Sequence, residues 1–209
     1  MKTVAGWRCP DLLGGPGNYL RRTEDLAFLL EHTPGRGLCI QAGGHIGTWP
    51  ITLAETFETV MTFEPGEENF LALKENIATR GLEARVLASR AILGKSVGRG
   101  DMRWSDKSTG QHRVKAVRAS GALPIVSLNS LNLPRVDAIV LDVEGFEIPA
   151  LKGASEILAR DRPIIQCEEN KRCRDHGFEI GDLERFLAAH GYRVAHRVND
   201  DIVFRSIQV

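Results

Sequence analysis

The chain has 209 residues, 27 Lys+Arg against 27 Asp+Glu, and 43% hydrophobic side chains. At this length folding buries roughly 70% of the surface the unfolded chain exposes, enough for a core without disulfides or a structural metal. A formal net charge of zero gives no long-range attraction to phosphate backbones or anionic lipid, so neither nucleic acid nor a membrane is the expected partner. The cysteines Cys9, Cys39, Cys167 and Cys173 form no Cys-x-x-Cys pair and read as reduced thiols. With no signal-peptide-like stretch and no long apolar run, the expectation is a soluble, cytoplasmic protein.

Residues 1–20, with Pro10, Gly14, Gly15, Pro16 and Gly17, read as an irregular arm or lid. Thr23 followed by Glu24, Asp25, Leu26, Leu29 and Leu30 predicts an N-cap, an acidic first turn and an apolar stripe, hence a surface helix ending before Pro34 and closing an N-terminal section 1–35. A strand over 37–42, a glycine-rich turn, a helix to about Phe57, a strand over 59–64 and a helix over 67–80 then follow in βαβα order. A third strand fits 84–88. Residues 92–127 read as an insertion on the ligand side, with short strands at Met102, Trp104 and Val114, Ala116 flanking a polar loop over 105–112. A strand over 136–142, one helix over 147–160 with Pro149 in its first turn, a strand from Pro163 to Gln166, a helix over 183–190 and two closing strands, 192–196 and 202–205, complete the chain. Strands alternating with helices predict one α/β domain with a mostly parallel sheet covered on both faces.

The run Cys-Ile-Gln-Ala-Gly-Gly-His-Ile-Gly-Thr-Trp places Gly43, Gly44 and Gly47 between an apolar strand and a helix, where backbone can approach a ligand closely. His45 stands where a dinucleotide fingerprint needs its second glycine, which counts against a pyrophosphate and thus against a nicotinamide oxidoreductase. Glu64, about 20 residues after the turn, is placed to accept ribose hydroxyls. A second acidic group follows the strand ending at Leu141, namely Asp142, Glu144 and Glu147. Acids at a helix start complement its dipole without any chemistry, and that reading serves Glu144 and Glu147. Asp142, on a buried strand, lies by topology at the ligand edge of the sheet, and Glu168 ends the neighbouring strand. Such carboxylates suit a substrate hydroxyl, a divalent cation or a cationic ligand, and the residues alone do not rank these.

These residues resemble the FkbM-type S-adenosylmethionine-dependent methyltransferases. Gln-Ala-Gly-Gly-His-Ile-Gly resembles the family's glycine turn, and residues 62–77 its Phe-Glu-Pro block. Residues 141–158 are similar to its Asp-x-Glu-Gly-x-Glu segment, and Arg-Pro-Ile-Ile-Gln-Cys-Glu matches the strand after it. The resemblance implies the class I methyltransferase fold with sheet order 3-2-1-4-5-7-6 and strand seven antiparallel. It also implies an S-adenosylmethionine site built from Gln41, Gly43, Gly44, Gly47, Glu64, Ser89 and Asp142. Asp142 would sit near the transferring methyl group, and Asp142, Glu168 and His45 are the candidates for base or orienting group, with His112 a more distant one. Gln41, His45, Asn129 and Asn170 depart from the family's usual residues, Asn170 standing where a His is often found.

The implied activity is O-methylation of a hydroxyl on a sugar, glycan or secondary metabolite, with S-adenosylmethionine as cofactor. A divalent cation is compatible but has no sequence support, and the oligomeric state is not legible. The other readings kept are a non-catalytic nucleotide-like binding module and a methyltransferase acting on nucleic acid. Against the last, the chain has no Asn/Asp-Pro-Pro-Tyr/Trp motif for exocyclic amines.

Overall fold

A computed structural model of the chain describes residues 1–13, 16, 17, 20, 22–105 and 112–207. Gly14 and Gly15 of the arm and most of the polar loop over 105–112 lie outside the described residues.

The N-terminal arm is more regular than its glycines and prolines predict, because it opens with a hairpin of β1 (Lys2–Val4) and β2 (Trp7–Cys9). Ala5 and Gly6 both have positive φ, 49° and 75°, the mirror-image turn whose twist matches two paired strands. A 3-10 turn, Arg22–Leu26, then leads into α1 (Ala27–His32). Thr23 does not cap this helix. Its hydroxyl turns back to donate to the Leu20 carbonyl at 2.6 Å, and the α-helix begins three residues later than the cap signal predicts.

Next come β3 (Leu38–Ala42), α2 (Thr48–Leu53), β4 (Thr59–Phe63), α3 (Glu67–Thr79) and β5 (Val86–Ser89). Residues 92–126 form β6 (Ile92–Leu93), β7 (Gly98–Arg103), β8 (Arg113–Val117) and β9 (Leu123–Val126), which build their own sheet in the order β6-β9-β7-β8. The chain returns through β10 (Val136–Leu141), α4 (Glu147–Lys152), α5 (Ser155–Arg160), β11 (Ile164–Glu168), α6 (Asp182–Ala189), β12 (Tyr192–Val198) and β13 (Asp201–Ser206). The main sheet has seven strands ordered β12-β13-β11-β10-β3-β4-β5. Only β13 runs against its neighbours. This is the class I methyltransferase order 3-2-1-4-5-7-6.

Burial explains why these strands lie where they do. Every residue of β3, β10 and β11 is buried, whereas the outer strands β4, β5 and β12 are only partly so. A strand covered on both faces reads as an unbroken apolar run, and alternate residues then feed two cores. Leu38, Ile40, Ile139, Leu141 and Ile165 pack with Leu151, Leu158 and Leu187 of α4, α5 and α6. Cys39, Ala138, Val140 and Ile164 face the other way, onto Leu29, Leu53, Leu73 and Ile77 of α1, α2 and α3. Fully burying each such aliphatic side chain contributes about 1.5–3 kcal/mol.

The single helix predicted over 147–160 is broken in two at Gly153. The Gly153 carbonyl accepts from the Asn129 backbone N–H at 2.7 Å and the Ser127 hydroxyl at 3.1 Å, so it leaves the helical ladder. The Asn129 amide caps the restarted helix, accepting from Glu156 N at 3.2 Å and donating to Ser155 Oγ at 3.0 Å. A β-carbon at Gly153 would stand 2.0 Å from the Gly94 carbonyl oxygen, so only glycine lets the two segments close.

Candidate active site

The strand order reverses direction at β3, whose sheet neighbours β4 and β10 pair on its opposite sides. Such a switch point opens a crevice beyond the carboxyl ends of the strands. A cavity of about 360 Å³ lies there, within the range of small-molecule sites.

One side of the cavity is the glycine turn. Gly43 has φ 84°, and a β-carbon there would stand 1.9 Å from the backbone oxygen of Asp142, because the ends of β3 and β10 touch at this residue. The N–H groups of Gly43 and Gly44 donate to the Phe63 carbonyl at 3.0 and 3.1 Å, which stitches the turn to the end of β4. There Glu64 folds under the turn, Oε2 accepting from His45 N at 2.8 Å and Oε1 from Gly66 N at 2.7 Å. Burial pushes the Glu64 carboxyl up to about 7, against the hydrogen bonds from His45, Gly66 and Asn69. Burial also pushes His45 down to about 3, with the charge of His112 adding to it, so this imidazole is neutral and a weak base at pH 7. The adjoining wall is apolar: Ala91, Ile92, Leu93, Met102, Val114 and Phe146. Ile92, Leu93, Met102 and Val114 of the small sheet thus supply apolar surface to this wall.

The opposite side is ionic. Asp142, Glu144 and Glu168 each bring a carboxylate oxygen to within 4.8 Å of the others. Glu144 sits at φ 58° and Gly145 at φ 97°, a bend held by Glu147, whose Oε1 accepts from Val143 N at 3.1 Å and Gly145 N at 3.2 Å. Glu147 is therefore a buried hook for the loop, pushed up to about 8 by burial, rather than a solvated residue of the first helical turn. Two guanidinium groups enter the cluster. Arg172 donates to Glu144, and Arg22 reaches Asp142 at 3.7 Å and Glu168 at 3.8 Å. The spacing would suit a hard cation, but these oxygens already face the arginines, and the group reads as an ion-pair network. Asn170 donates to Glu168 Oε2 at 2.5 Å. Burial, then the charges of Asp142, Glu144 and Glu147, push Glu168 up to about 9. Burial likewise raises Asp142, which shares a hydrogen bond with Glu168. This neighbouring pair cannot lose both protons easily, and near neutral pH it holds a proton between two acids.

Of the residues expected from sequence, Gly43, Gly44, His45, Glu64, Asp142 and Glu168 line this one cavity. Gln41, Gly47 and Ser89 do not. Gln41 is fully buried in the sheet, accepting from the Thr62 hydroxyl and donating to the Ala42 carbonyl at 3.0 Å. Gly47 starts α2 with φ 101° and packs against Leu73 and Ile51. Ser89 contributes its carbonyl to Glu64 N at 3.1 Å, and the cavity wall begins two residues later at Ala91. His112 lines the cavity and accepts from Ser105 N at 3.0 Å through Nδ1. Arg22, Trp49 and Arg172 also line the cavity and were not among the residues expected from sequence. Trp49 was within the quoted glycine motif, and its position just inside the helix was the available signal. Arg22 gave none, since Asp142, Glu168 and Asp201 lie 120 or more positions from it along the chain and only Asp25 is close in sequence.

Residues 41–194 match the family model described as Methyltransferase FkbM domain. The chain is similar to the hexuronic acid methyltransferase AglP of Haloferax volcanii, 26% identical over 158 residues that make up 73% of this chain and 61% of that protein. It thus spans less than two thirds of that relative's length. Among solved structures, the methyltransferase FkbM of Methylobacillus flagellatus KT is similar, with TM-score 0.59 at 17% identity over 81% of this chain and 43% of that one. Magnesium protoporphyrin IX methyltransferase of Synechocystis PCC 6803, solved with bound SAM, has TM-score 0.54 at 12% identity, covering 91% and 80%. At these identities the structural likeness is one of fold. No helix among the described residues is long and apolar enough to cross a membrane.

Proposed function

The chain belongs to the FkbM methyltransferase domain family, and from that premise we propose that it transfers a methyl group from S-adenosylmethionine to a hydroxyl of a sugar or glycan acceptor. The carrying observation is that one cavity joins the glycine turn and Glu64 at one side to the Asp142–Glu168 pair at the other. The donor side fits the cofactor: Gly43 and Gly44 line the cavity with no side chain between their backbone and a ligand, Glu64 offers a buried carboxylate for a ribose diol, and the wall from Ala91 to Leu93 offers apolar surface for a base. Gly43, Gly44, Glu64 and that wall would hold it.

Bound there, the sulfonium of S-adenosylmethionine supplies an already activated methyl electrophile. What remains for the protein is alignment and a destination for the acceptor's proton. In this reading Asp142 accepts the hydroxyl proton while its partner Glu168 keeps the shared proton between them. His45, neutral and weakly basic, serves the turn through its backbone N–H instead. Arg172, paired with Glu144, fixes the loop that carries Asp142 into the cavity. The relative's name as a hexuronic acid methyltransferase supports a sugar acceptor.

The test is turnover. The protein is incubated with S-adenosylmethionine and a panel of uronic acid and neutral sugar oligosaccharides, and products are read by mass spectrometry. A gain of one methyl group on a sugar, placed on oxygen by NMR, is the expected result. Methylation confined to nucleic acid, or to no member of the panel with cofactor bound, would overturn the assignment of acceptor.

A further inference from the structure

Arg22 belongs to the 3-10 turn before α1, yet its guanidinium lies among carboxylates from four different segments. Nη2 donates to Asp201 Oδ2 at 3.2 Å and lies 3.8 Å from Glu168 Oε1. Nη1 lies 3.7 Å from Asp142 Oδ2, and Nε 3.6 Å from Asp25 Oδ2. Asp201 is 0% exposed and Asp25 6%, so their charges have little water to rely on. The arginine is itself held in place. Trp49 Nε1 donates to the Arg22 carbonyl at 3.2 Å, and the guanidinium lies 5.8 Å from the centroid of the same indole. An ordinary surface arginine pairs with one flexible carboxylate and contributes little. This one is clamped at backbone and side chain, and it is the only cation that the described ion pairs place against both Asp142 and Glu168.

We propose that Arg22 is a positioning residue for the methyl-transfer reaction, its guanidinium holding the Asp142–Glu168 pair in the geometry and charge state that accepts the acceptor's proton. The inference rests on the O-methyltransferase reading for its functional consequence, and on the ion-pair geometry for its physical content. The charges around the pair are mostly negative. Glu144 and Glu147 approach from the loop after β10, Asp201 from β13, Asp25 from the turn before α1, and Glu64 from the end of β4. Against them stand Arg22 and Arg172, with a neutral His45 on the glycine turn. Each acid favours protonation of the pair, and Arg22 opposes it. Removing Arg22 must therefore raise the pH at which the pair gives up each of its protons, leaving less of the accepting form near neutrality.

The experiment is a pH titration of the full chain carrying carbon-13 at its Asp and Glu carboxyl groups, followed by NMR, with Asp142→Asn and Glu168→Gln used for assignment. In Arg22→Met both steps of the pair are expected to move up by about one pH unit, a tenfold change in proton affinity, and Arg22→Lys is expected to restore part of the shift. Affinity for S-adenosylhomocysteine should change little, while the acid limb of kcat/KM for the acceptor moves up in parallel. A purely structural role would lower the unfolding midpoint and leave the titration where it was. Unchanged titration in folded Arg22→Met therefore overturns the proposal. Should that variant fail to fold, Trp49→Phe, which removes the donor to the Arg22 carbonyl, is expected to give a smaller upward shift, and no shift in it or in Arg22→Lys overturns the proposal equally. The titration needs no turnover. A wild-type protein that binds no S-adenosylmethionine would defeat the methyl-transfer reading while the effect of Arg22 on the pair is still read.

Discussion

The two sides of the cavity are built by opposite means. At the β3–β4 side the ligand-facing groups are backbone and one carboxylate, and the contact that organises them, His45 N to Glu64, closes over 19 residues. At the β10–β11 side they are long ionic side chains, and the contact that ties them together, Arg22 to Asp201, closes over 179. Backbone geometry tolerates almost no substitution but needs no distant partner. An ionic cluster tolerates shape changes but depends on every charge that neutralises it. The donor side should thus break through sterics, and the acceptor side through titration.

The largest effect is expected at the donor side. Gly43→Ala puts a β-carbon 1.9 Å from the Asp142 backbone oxygen at φ 84°, between two central strands that cannot part. Urea unfolding should show a loss of about 4 kcal/mol or more, or no soluble protein at all. A midpoint close to wild type would mean the turn is looser than the strand contact implies.

Asp142→Asn breaks the other side without steric change. Turnover should fall by about a hundredfold to ten-thousandfold, with S-adenosylhomocysteine binding and the unfolding midpoint nearly kept. Retained turnover in the folded variant would remove Asp142 from proton acceptance. Glu64→Gln should act on affinity alone, weakening the cofactor about tenfold to a hundredfold through loss of a charged acceptor. Because burial pushes Glu64 up to about 7, wild-type affinity should be full above that pH and be lost as pH falls through it. Flat affinity from pH 5.5 to 8.5 would show that the carboxylate does not carry the ribose contact.

The smallest effect concerns stability. Glu147 and Glu168 have folded-state values raised to about 8 and about 9, above the ordinary carboxylate range, so the folded chain holds protons that the unfolded chain has released. Their contribution is complete below the unfolded values and is lost as pH rises through the folded ones. Between pH 7 and 9 the apo protein should therefore lose thermal stability, and Glu168→Gln should flatten that slope. A midpoint that rises over this window would contradict the protonated cluster.

What was legible in the sequence follows the same division. The unbroken apolar runs of β3, β10 and β11, the glycine turn and Glu64 are local signals, and each lies where its spacing predicts. Asp142 and Glu168 were legible as strand ends. The break at Gly153 was not, because a helix over 147–160 satisfies every local rule and what opens it is the backbone N–H of Asn129, from another part of the chain. The hairpin at Ala5 and Gly6 was hidden because Ala is an unusual occupant of a left-handed turn position, its φ being 49°. Arg22 was hidden for the reason it matters: nothing near it in sequence explains it.

The most direct measurement is calorimetric titration of the wild-type protein and Glu64→Gln with S-adenosylmethionine and S-adenosylhomocysteine. Micromolar binding by the wild type that the substitution weakens by a factor of ten or more on the order expected for a charged acceptor is the predicted result. Absence of binding to folded wild-type protein, or equal binding by Glu64→Gln, would contradict the assignment of this cavity to the methyl donor.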